Sequence, residues 1–448
     1  MDQAIFEELL ELLDRRDYRT LKAKLAELHE ADVAVFIEEH SPDKAAIVFR
    51  LLSKPQAAEV FSMLDIDQRR TLVAAFSDQE VAQIIEELYT DDAVDFLEEL
   101  PANAVNRVLS LATPDTRKLL NRFMKYAEDT AGSIMTSEYV KLHHSFTVGE
   151  AIKHIRERGA DRETIYTCYI SDATRKLIGV VSVRELLLAR DDQLVNEIMQ
   201  ENVISVEVTT DQEEVANIIS DYDLIALPVV DKENRLVGIV TFDDVFDVVR
   251  REATEDMHLM AGLRPSEKPY LKTSTWSLAS QRMVWLLVLM FSGMVNGIIL
   301  GQYEYAFTSL PILVTFIPML TGTGGNSGAQ SSTVIIRGMV LGEIQFRDLG
   351  KVIWKEFKIS IIAGLVLSAI NFIRIYISYG QNIALSLTVS ISLIVIVIVA
   401  KISGAILPML AQKLKMDPAT MASPLITTIV DAVGLVIYFN IAIRILPI

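Results

Sequence analysis

The chain has 448 residues, and its charged side chains are unevenly distributed. Residues 1–262 carry 52 acidic and 28 basic side chains, a net charge of −24, whereas residues 263–448 have a net charge of +7. The acidic portion argues against a nucleic-acid partner, because phosphate binding needs a basic face, and it favours cations as ligands. A highly charged surface kept for solubility is the alternative at this point. The single cysteine, Cys168, lies in an apolar run typical of a buried strand, and it excludes intrachain disulfides and cysteine-cluster metal sites.

Residues 1–128 have the pattern of short amphipathic helices. Apolar side chains recur at three- and four-residue spacing in 57–64 and 81–88. Turn and cap signals such as Ser41-Pro42-Asp43 separate these segments. Helices this short cannot bury an apolar face alone. The sequence therefore predicts an all-α N-terminal domain whose helices stack in a small solenoid.

Residues 129–250 contain an internal repeat, with copies at 134–185 and 198–244. Each copy is predicted to contain an extended segment, a helix, two strands joined by a turn, and a second helix. This α+β pattern resembles a tandem pair of CBS domains. Thr241 and Asp244 match the Thr-x-x-Asp pattern with which such domains hold ribose, so an adenine nucleotide, ATP, is expected as a modulator.

Residues 251–280 are predicted to form an acidic connecting helix and a linker. From 281 to the C-terminus we predict a five-span α-helical membrane domain, because each apolar stretch can cross about 30 Å of hydrocarbon. The predicted spans lie at or near 283–303, 305–336, 355–378, 383–407 and 421–445. Lys and Arg are concentrated between spans two and three and between spans four and five. This distribution predicts cytosolic N-terminal domains and a C-terminus outside the cell.

Asp431 lies inside the last predicted span. A charged side chain there costs roughly 2.5–3.5 kcal/mol on insertion scales, so it normally faces water or a partner and marks a pathway. The alternatives are an ion pair with Lys401 or Arg374, or a protonated carboxyl group. Thr427 lies one turn before Asp431, and Pro424 leaves a nearby backbone carbonyl without its helical hydrogen bond. These neighbours favour a cation pore.

A second signal is the segment 318–332, which contains four glycines and a row of hydroxyl and amide side chains within a charge-free stretch. Such a segment must be buried in protein or line a wet cavity, because lipid satisfies no open backbone group. Close helix packing by small residues is the alternative. The glycine spacing fits neither a dinucleotide-binding motif nor a P-loop.

The order of these segments resembles the MgtE family of magnesium channels and transporters, over essentially the whole chain. Its two membrane signatures match Gly-Gly-Asn-Ser-Gly-Ala-Gln at 324–330 and Pro-Leu-Ile-Thr-Thr-Ile-Val-Asp-Ala-Val-Gly at 424–434. The resemblance implies a homodimer in the cytoplasmic membrane with one central pore. It also implies that Mg²⁺ is bound by Asp431 and the backbone carbonyl of Thr427, and that the pore is lined by Gly325, Asn326, Thr427 and Asp431. Ala329 and Ser423 stand where family members can carry Asn, so the resemblance assigns these two positions no role.

The resemblance also implies regulatory Mg²⁺ ligands in the acidic portion. They are Glu59, Asp91, Asp95, Asp211, Glu213, Asp223, Asp244, Asp247, Glu252, Glu255, Asp256 and Asp417. For any one of them, a solvated surface charge or a helix cap is the ordinary interpretation. Two portions of charge −24 repel one another in a dimer, and Mg²⁺ would bridge them. Compaction is then expected to press the acidic helix at 252–260 against the pore entrance and close it.

The sequence therefore predicts a Mg²⁺ channel that is closed by cytosolic Mg²⁺ and has no enzymatic activity. It contains no ATP-hydrolysing motif and no nucleophile–base pair. A channel for Co²⁺ or Mn²⁺ is the first alternative, although the absence of His, Cys and Met beside Asp431 favours a hard ion with oxygen ligands. A membrane-anchored CBS sensor is the second alternative, but mere anchor helices would need neither Asp431 nor the glycine-rich segment.

Overall fold

The computed structural model describes residues 2–266, 270–271, 273–421 and 423–447. The chain divides into two compact units, Met1–Val249 and Arg250–Ile448. The boundary falls inside one helix, so that the same helix contributes residues to both units.

The first unit begins with ten short helices. They are α1 (Gln3–Asp14), α2 (Tyr18–Leu25), α3 (Glu30–Glu38), α4 (Pro42–Leu51), α5 (Lys54–Met63), α6 (Ile66–Ala75), α7 (Asp78–Glu87), α8 (Thr90–Glu98), α9 (Ala102–Leu111) and α10 (Pro114–Phe123). Side chains such as Asp65, Ser77 and Thr113 cap the helices that follow them. Helix α3 packs on α5, α5 on α7, and α7 on α9. The predicted helical N-terminal domain is thus confirmed. In the series from α3 to α9, each odd-numbered helix packs against the next odd-numbered helix.

Aromatic side chains fill the space between these stacked helices. Phe36, Phe61 and Phe96 are fully buried, and the rings of Phe61 and Phe96 meet edge to face with centroids 5.0 Å apart. Burying one such side chain stabilises the fold by roughly 1.5–3 kcal/mol. Since no helix here exceeds 12 residues, the contacts between helices rather than the intrinsic helix propensity hold the domain together.

The repeated segment contains two three-stranded sheets. Its strands are β1 (Tyr139–His143), β2 (Thr164–Ser171), β3 (Leu177–Ser182), β4 (Val206–Glu207), β5 (Ala226–Val230) and β6 (Leu236–Thr241). Its helices are α11 (Val148–Arg158), α12 (Val183–Leu188), α13 (Val195–Ile198), α14 (Gln212–Asp221) and α15 (Phe242–Met260). In each sheet the first pair of strands is parallel and the second antiparallel. The predicted internal repeat is confirmed, and Cys168 is buried in β2 as expected.

The two copies interlock through a methionine and a glycine from each. A Cβ atom on Gly179 of β3 would lie 2.6 Å from the sulfur of Met199, which belongs to the second copy. A Cβ atom on Gly238 of β6 would lie 2.8 Å from the sulfur of Met135 and 2.6 Å from the carbonyl oxygen of Thr136, both in the first copy. Each strand therefore needs glycine because the segment that opens the other copy crosses it at close range.

The second unit consists of the end of α15 and the apolar helices. They are α16 (Thr275–Gln302), α17 (Glu304–Ser309), α18 (Ile317–Val340), α19 (Leu349–Ser378), α20 (Ile383–Lys413) and α21 (Ser423–Ile445). Helix α20 packs on α18, α19 and α21, while α16 packs on α21 and has no buried residue within the described chain. The core of this unit therefore lies around α20.

Four helices of the described chain have the length and hydropathy of membrane spans: α16, α19, α20 and α21. The predicted span at 305–336 is not one helix. It divides into α17, a 3₁₀ turn at Pro311–Phe316, and α18. Proline lacks an N–H group and favours the first turn of a new helix, and both Pro311 and Pro318 occupy such positions. Helix α18 falls below the hydropathy of its neighbours because glycine, hydroxyl and amide groups replace apolar side chains.

Candidate functional site

The two glycine- and aspartate-containing membrane motifs lie in direct contact. A Cβ atom on Gly325 of α18 would lie 2.8 Å from Cγ2 of Thr427 on α21, and one on Gly324 would lie 2.8 Å from Val430. On Gly328 a Cβ atom would meet Ile426 at 2.6 Å. For the segment 318–332, the sequence left open whether its small residues line a cavity or allow close helix packing. These three glycines allow close helix packing.

One face of α18 remains exposed and polar within the protomer. Gly322, Asn326 and Gln330 follow one another at intervals of four residues and are all exposed. In hydrocarbon, side-chain amides without partners would be costly, so this face needs water or another protein surface. Asn326 thus lies on an exposed polar stripe, whereas Gly325 is buried behind it against Thr427.

Asp431 is half-buried on α21, one turn beyond Thr427. The two cations considered as its partners are engaged elsewhere. Lys401 Nζ donates a hydrogen bond to Ser331 Oγ at 3.3 Å, and the Arg374 guanidinium donates to Asn371 Oδ1 at 2.9 Å. Within the part of the chain that the structure describes, Asp431 therefore forms no ion pair with either cation.

A buried polar trio joins three helices of the second unit, and the sequence reasoning did not find it. Ser331 Oγ on α18 donates to Glu356 Oε2 on α19 at 2.6 Å, and it accepts from Lys401 of α20. Both charged side chains are only 7% exposed. Opposite charges that share one hydroxyl offset each other's desolvation and hold α18 in a fixed position. Glu356 lies between Lys355 and Lys358 near the start of the predicted third span, so its position in the sequence does not indicate that it is buried.

In the first unit, four carboxyl groups form what we term the acidic cluster: Asp91, Asp92, Glu163 and Asp244. Asp91 on α8 is buried, and its Oδ1 atom has no hydrogen-bond partner in the described structure. Burial, followed by the charge of Asp244, raises its pKa well above the usual range for aspartate. Asp244 lies in the first turn of α15 and accepts a hydrogen bond from Thr241. The fold thus brings two predicted ligands, Asp91 and Asp244, close together.

The other members of the acidic cluster are perturbed in the same direction. Burial and the charge of Asp244 raise the pKa of Asp92 to about 7 and that of Glu163 to about 8. Burial raises the pKa of Asp244 itself to about 6. Asp92 and Glu163 were not among the predicted ligands. Glu163 carries no local signal, because only the tertiary fold brings the residue before β2 close to Asp91 and Asp92.

The remaining predicted ligands of the first unit are more exposed. Asp211 caps α14 by accepting from the backbone N–H of Glu213 at 2.9 Å, which is the ordinary role of an aspartate before a helix. The exposed carboxyl groups are those of Glu59, Asp95, Asp211, Asp223 and Asp247. In the described residues, no three His, Cys, Asp or Glu side chains are placed to hold a metal ion directly. Binding of Mg²⁺ through its retained waters needs only one or two carboxylates.

In the second unit, the acidic end of α15 lies near the loop before α21. Asp256 is half-buried, and its pKa is raised to about 6 by burial, by Asp417 and by Glu255. Glu252 lies one turn earlier on the same helix. Asp417 Oδ1 accepts from the backbone N–H of Ala419 at 2.7 Å. The connector and Asp417 therefore share a small region of negative charge.

Comparison with known proteins identifies the family. A model described as "Divalent cation transporter", named MgtE, matches residues 317–441, which include both membrane motifs. The MgtE intracellular N domain matches 28–129, and CBS domains match 131–192 and 195–251. The magnesium transporter MgtE of Thermus thermophilus is 38% identical over 99% of this chain and 98% of its own length. The chain belongs to the MgtE family.

Other MgtE proteins support the same assignment. MgtE of Bacillus subtilis is 33% identical over 95% of this chain and 93% of its own length. Among solved structures, the cytosolic domain of the Mg²⁺ channel MgtE in complex with ATP is 39% identical. The match covers 54% of this chain and 99% of the chain in that structure, with a TM-score of 0.53. The soluble part of a magnesium transporter is 34% identical, with a TM-score of 0.54, and covers 56% of this chain and 99% of that structure.

The acidic cluster makes the first unit's stability depend on pH. Its carboxyl groups have higher pKa values in the folded state than the value of about 4 expected after unfolding, so the folded state binds more protons between these values. Without divalent cations, the contribution of the acidic cluster to stability should be greatest below about pH 4 and fall as pH rises towards 8. Hydrogen exchange of α8 peptides in the full chain should therefore accelerate with pH beyond its intrinsic chemical dependence.

The double variant Asp92→Asn/Glu163→Gln provides the control, because it removes two titrating groups with little change in shape. Its α8 peptides should lose most of the excess acceleration. Equal excess exchange in the variant and the original chain would contradict the assignment of this pH dependence to the acidic cluster.

Proposed function

We propose that this protein is a Mg²⁺ channel or transporter of the cytoplasmic membrane, closed by Mg²⁺ binding to its cytosolic domains. The observation that carries the proposal is Asp431, a half-buried carboxyl group on a membrane helix that pairs with neither Lys401 nor Arg374. It lies one turn from Thr427, against which the glycine-rich helix α18 packs. Relatives named magnesium transporters match nearly the whole chain.

The pore is proposed to lie between two copies of the chain. Two-fold symmetry would supply two Asp431 carboxylates and two Thr427 carbonyls, enough to hold a hydrated Mg²⁺ without a slow-releasing cage. The exposed polar stripe containing Asn326 would then face water in the pore rather than lipid.

Helix α18 is proposed as the fifth span. Its 24 residues extend about 36 Å, which exceeds the hydrocarbon thickness. Its low hydropathy is expected of a helix with one side against α20 and α21 and the other in a pore. Five spans place the cytosolic N-terminal domains and the C-terminus on opposite sides of the membrane.

Gating is proposed to use both groups of acidic residues. In the first unit, Mg²⁺ would relieve repulsion within the acidic cluster and at the exposed carboxylates, including Glu59, Asp95, Asp211, Asp223 and Asp247, with Glu213 beside them. In the second unit, Mg²⁺ would bridge Asp417 and the α15 residues Glu252, Glu255 and Asp256. The free energy with which Mg²⁺ favours closure equals the difference between its binding free energies to the closed and open states.

ATP is proposed as a modulator of the CBS pair, because the cytosolic domain of a relative was solved in complex with ATP. Thr241 and Asp244 remain the proposed ribose contacts. In this chain Thr241 already donates a hydrogen bond to Asp244, which is itself a member of the acidic cluster. Without Mg²⁺ the carboxylates of the cluster would repel a polyphosphate, and Mg²⁺ bound there would favour it.

The function can be tested with the purified full chain in liposomes that contain a Mg²⁺-sensitive dye. We expect Mg²⁺ influx down its gradient, and slower influx when the cytosolic face is preloaded with Mg²⁺. Co²⁺ and Mn²⁺ in place of Mg²⁺ test the alternative ions. Flux no faster than in protein-free liposomes would contradict the proposal, and faster Co²⁺ or Mn²⁺ flux would reassign the ion. Proteolysis of the cytosolic portion at equal rates with and without Mg²⁺ would contradict the gating step.

A further inference from the structure

The acidic first unit also carries a concentrated basic surface, formed by Arg122, Lys141, Arg158, Arg162, Arg175 and Arg235. These six side chains line two cavities that share Tyr139 and Lys141. The larger cavity, about 450 Å³, is lined by Arg122, Arg175 and Arg235, and the smaller, about 230 Å³, by Arg158 and Arg162. This concentration stands out because residues 1–249 have 49 acidic and only 26 basic side chains.

The cations of the basic surface converge from separate parts of the fold. Arg122 belongs to α10 of the helical domain, and Lys141 to β1. Arg175 and Arg235 come from the two hairpin turns, which meet at the Lys176–Arg235 bridge. A ligand held here would therefore contact the helical domain and both CBS copies at once.

Most of these cations have no anionic partner. In the described residues, Arg122, Lys141, Arg158, Arg162 and Arg175 form no ion pair within 4.0 Å, whereas Arg235 pairs with Glu233. Among the described residues, the one carboxylate that lines the larger cavity is that of Asp231. Its Oδ1 atom accepts from the backbone N–H groups of Glu233 and Arg235, both at 2.9 Å, so the turn engages it.

Three of the guanidinium groups lie close enough to the Tyr139 phenol to affect its pKa. This phenol is largely buried, which raises its pKa, while Arg122, Arg175 and Arg162 act on it in the opposite direction. The Arg122 guanidinium also lies 5.2 Å from the centre of the Phe123 ring, a contact that orients it. Planar guanidinium groups bind phosphate oxygens in pairs, and a cavity of this size falls within the range of ligand pockets.

We propose that the basic surface binds a phosphate-type polyanion, either free pyrophosphate or the polyphosphate of a nucleotide. The site is separate from the Thr-x-x-Asp ribose motif. Arg235 precedes β6 and Thr241 ends it, and a strand of six residues is about 20 Å long. The proposal is independent of the transport function, because it rests only on the first unit. A bound polyanion would fasten α10 to both hairpins.

Calorimetry on the full chain in detergent, with pyrophosphate and no divalent cation, tests the proposal. We expect one site per chain and a loss of about tenfold or more in affinity in Arg122→Gln/Arg175→Gln, which removes charge-assisted hydrogen bonds. Lys22→Gln/Lys54→Gln, which removes the same charge from exposed positions on α2 and α5, should bind normally. Thr241→Ala should also bind pyrophosphate normally.

The source of the phosphate is distinguished by comparing pyrophosphate, ATP and adenosine. Competition between pyrophosphate and ATP would indicate that a nucleotide supplies the group, and binding of pyrophosphate without competition would indicate the free anion. Equal pyrophosphate affinity in all variants, or loss only in Thr241→Ala, would overturn the proposal. Should Arg122→Gln/Arg175→Gln melt earlier than the original chain, Lys141→Gln/Arg162→Gln gives an independent test with the same expected loss.

Discussion

Asp431→Asn is expected to abolish growth rescue of a strain that lacks Mg²⁺ uptake, while the original chain restores growth. The substitution keeps the size of the side chain but removes one negative charge per subunit, and two in the proposed dimer. A loss of even about 3 kcal/mol in cation stabilisation corresponds to on the order of 100-fold in binding. Growth at limiting Mg²⁺ should therefore resemble that of the strain carrying no transporter.

The control for this experiment is Asp417→Asn. Asp417 is exposed in the loop before α21 and is proposed to act in closing rather than in conduction. This variant should keep growth rescue, and the amount of each protein in the membrane is measured in parallel. Full rescue by Asp431→Asn would remove this residue from the mechanism. Failure of the original chain to rescue growth would undercut Mg²⁺ as the substrate.

Gly404→Ala is expected to destabilise the membrane domain and to reduce transport. Helices α18 and α20 pack closely where Gly404 faces Gly328, and a Cβ atom on Gly404 would collide with the carbonyl oxygen of Gly328. A backbone atom cannot rotate away, so the helices must separate. Overpacking of this kind typically costs about 1–3 kcal/mol or more. Separation would also pull α18 from Thr427 and disturb the ion pathway.

Gly297→Ala provides the matched control, because a Cβ atom at Gly297 of α16 meets nothing within 4 Å. Alanine is a better helix former than glycine by about 1 kcal/mol, so this variant should be neutral or slightly more stable. Thermal unfolding of the detergent-solubilised full chain compares the two. Equal unfolding temperatures for both variants would show that α18 and α20 do not approach as closely as described.

Local sequence patterns predict the elements of this protein better than its buried polar contacts. Cap residues and apolar spacing indicate the short helices, and the repeat indicates two similar sheets. The partner of Lys401 is Ser331, 70 residues away in sequence, and no local pattern reports such a pair. Glu163 joins the acidic cluster for the same reason. Helix α18 is the opposite case, because its glycine, hydroxyl and amide side chains already distinguish it in the sequence from an ordinary span.

The exchange of methionines between the CBS copies has a consequence for how this region can change over time. Gly179 of one copy accommodates Met199 of the other, and Gly238 accommodates Met135. A gene duplication normally leaves each copy free to drift. Here a larger residue at either glycine would damage its own sheet and displace the opening segment of its twin. The two copies therefore constrain each other's substitutions, and we expect neither copy to fold correctly when it is removed from the other.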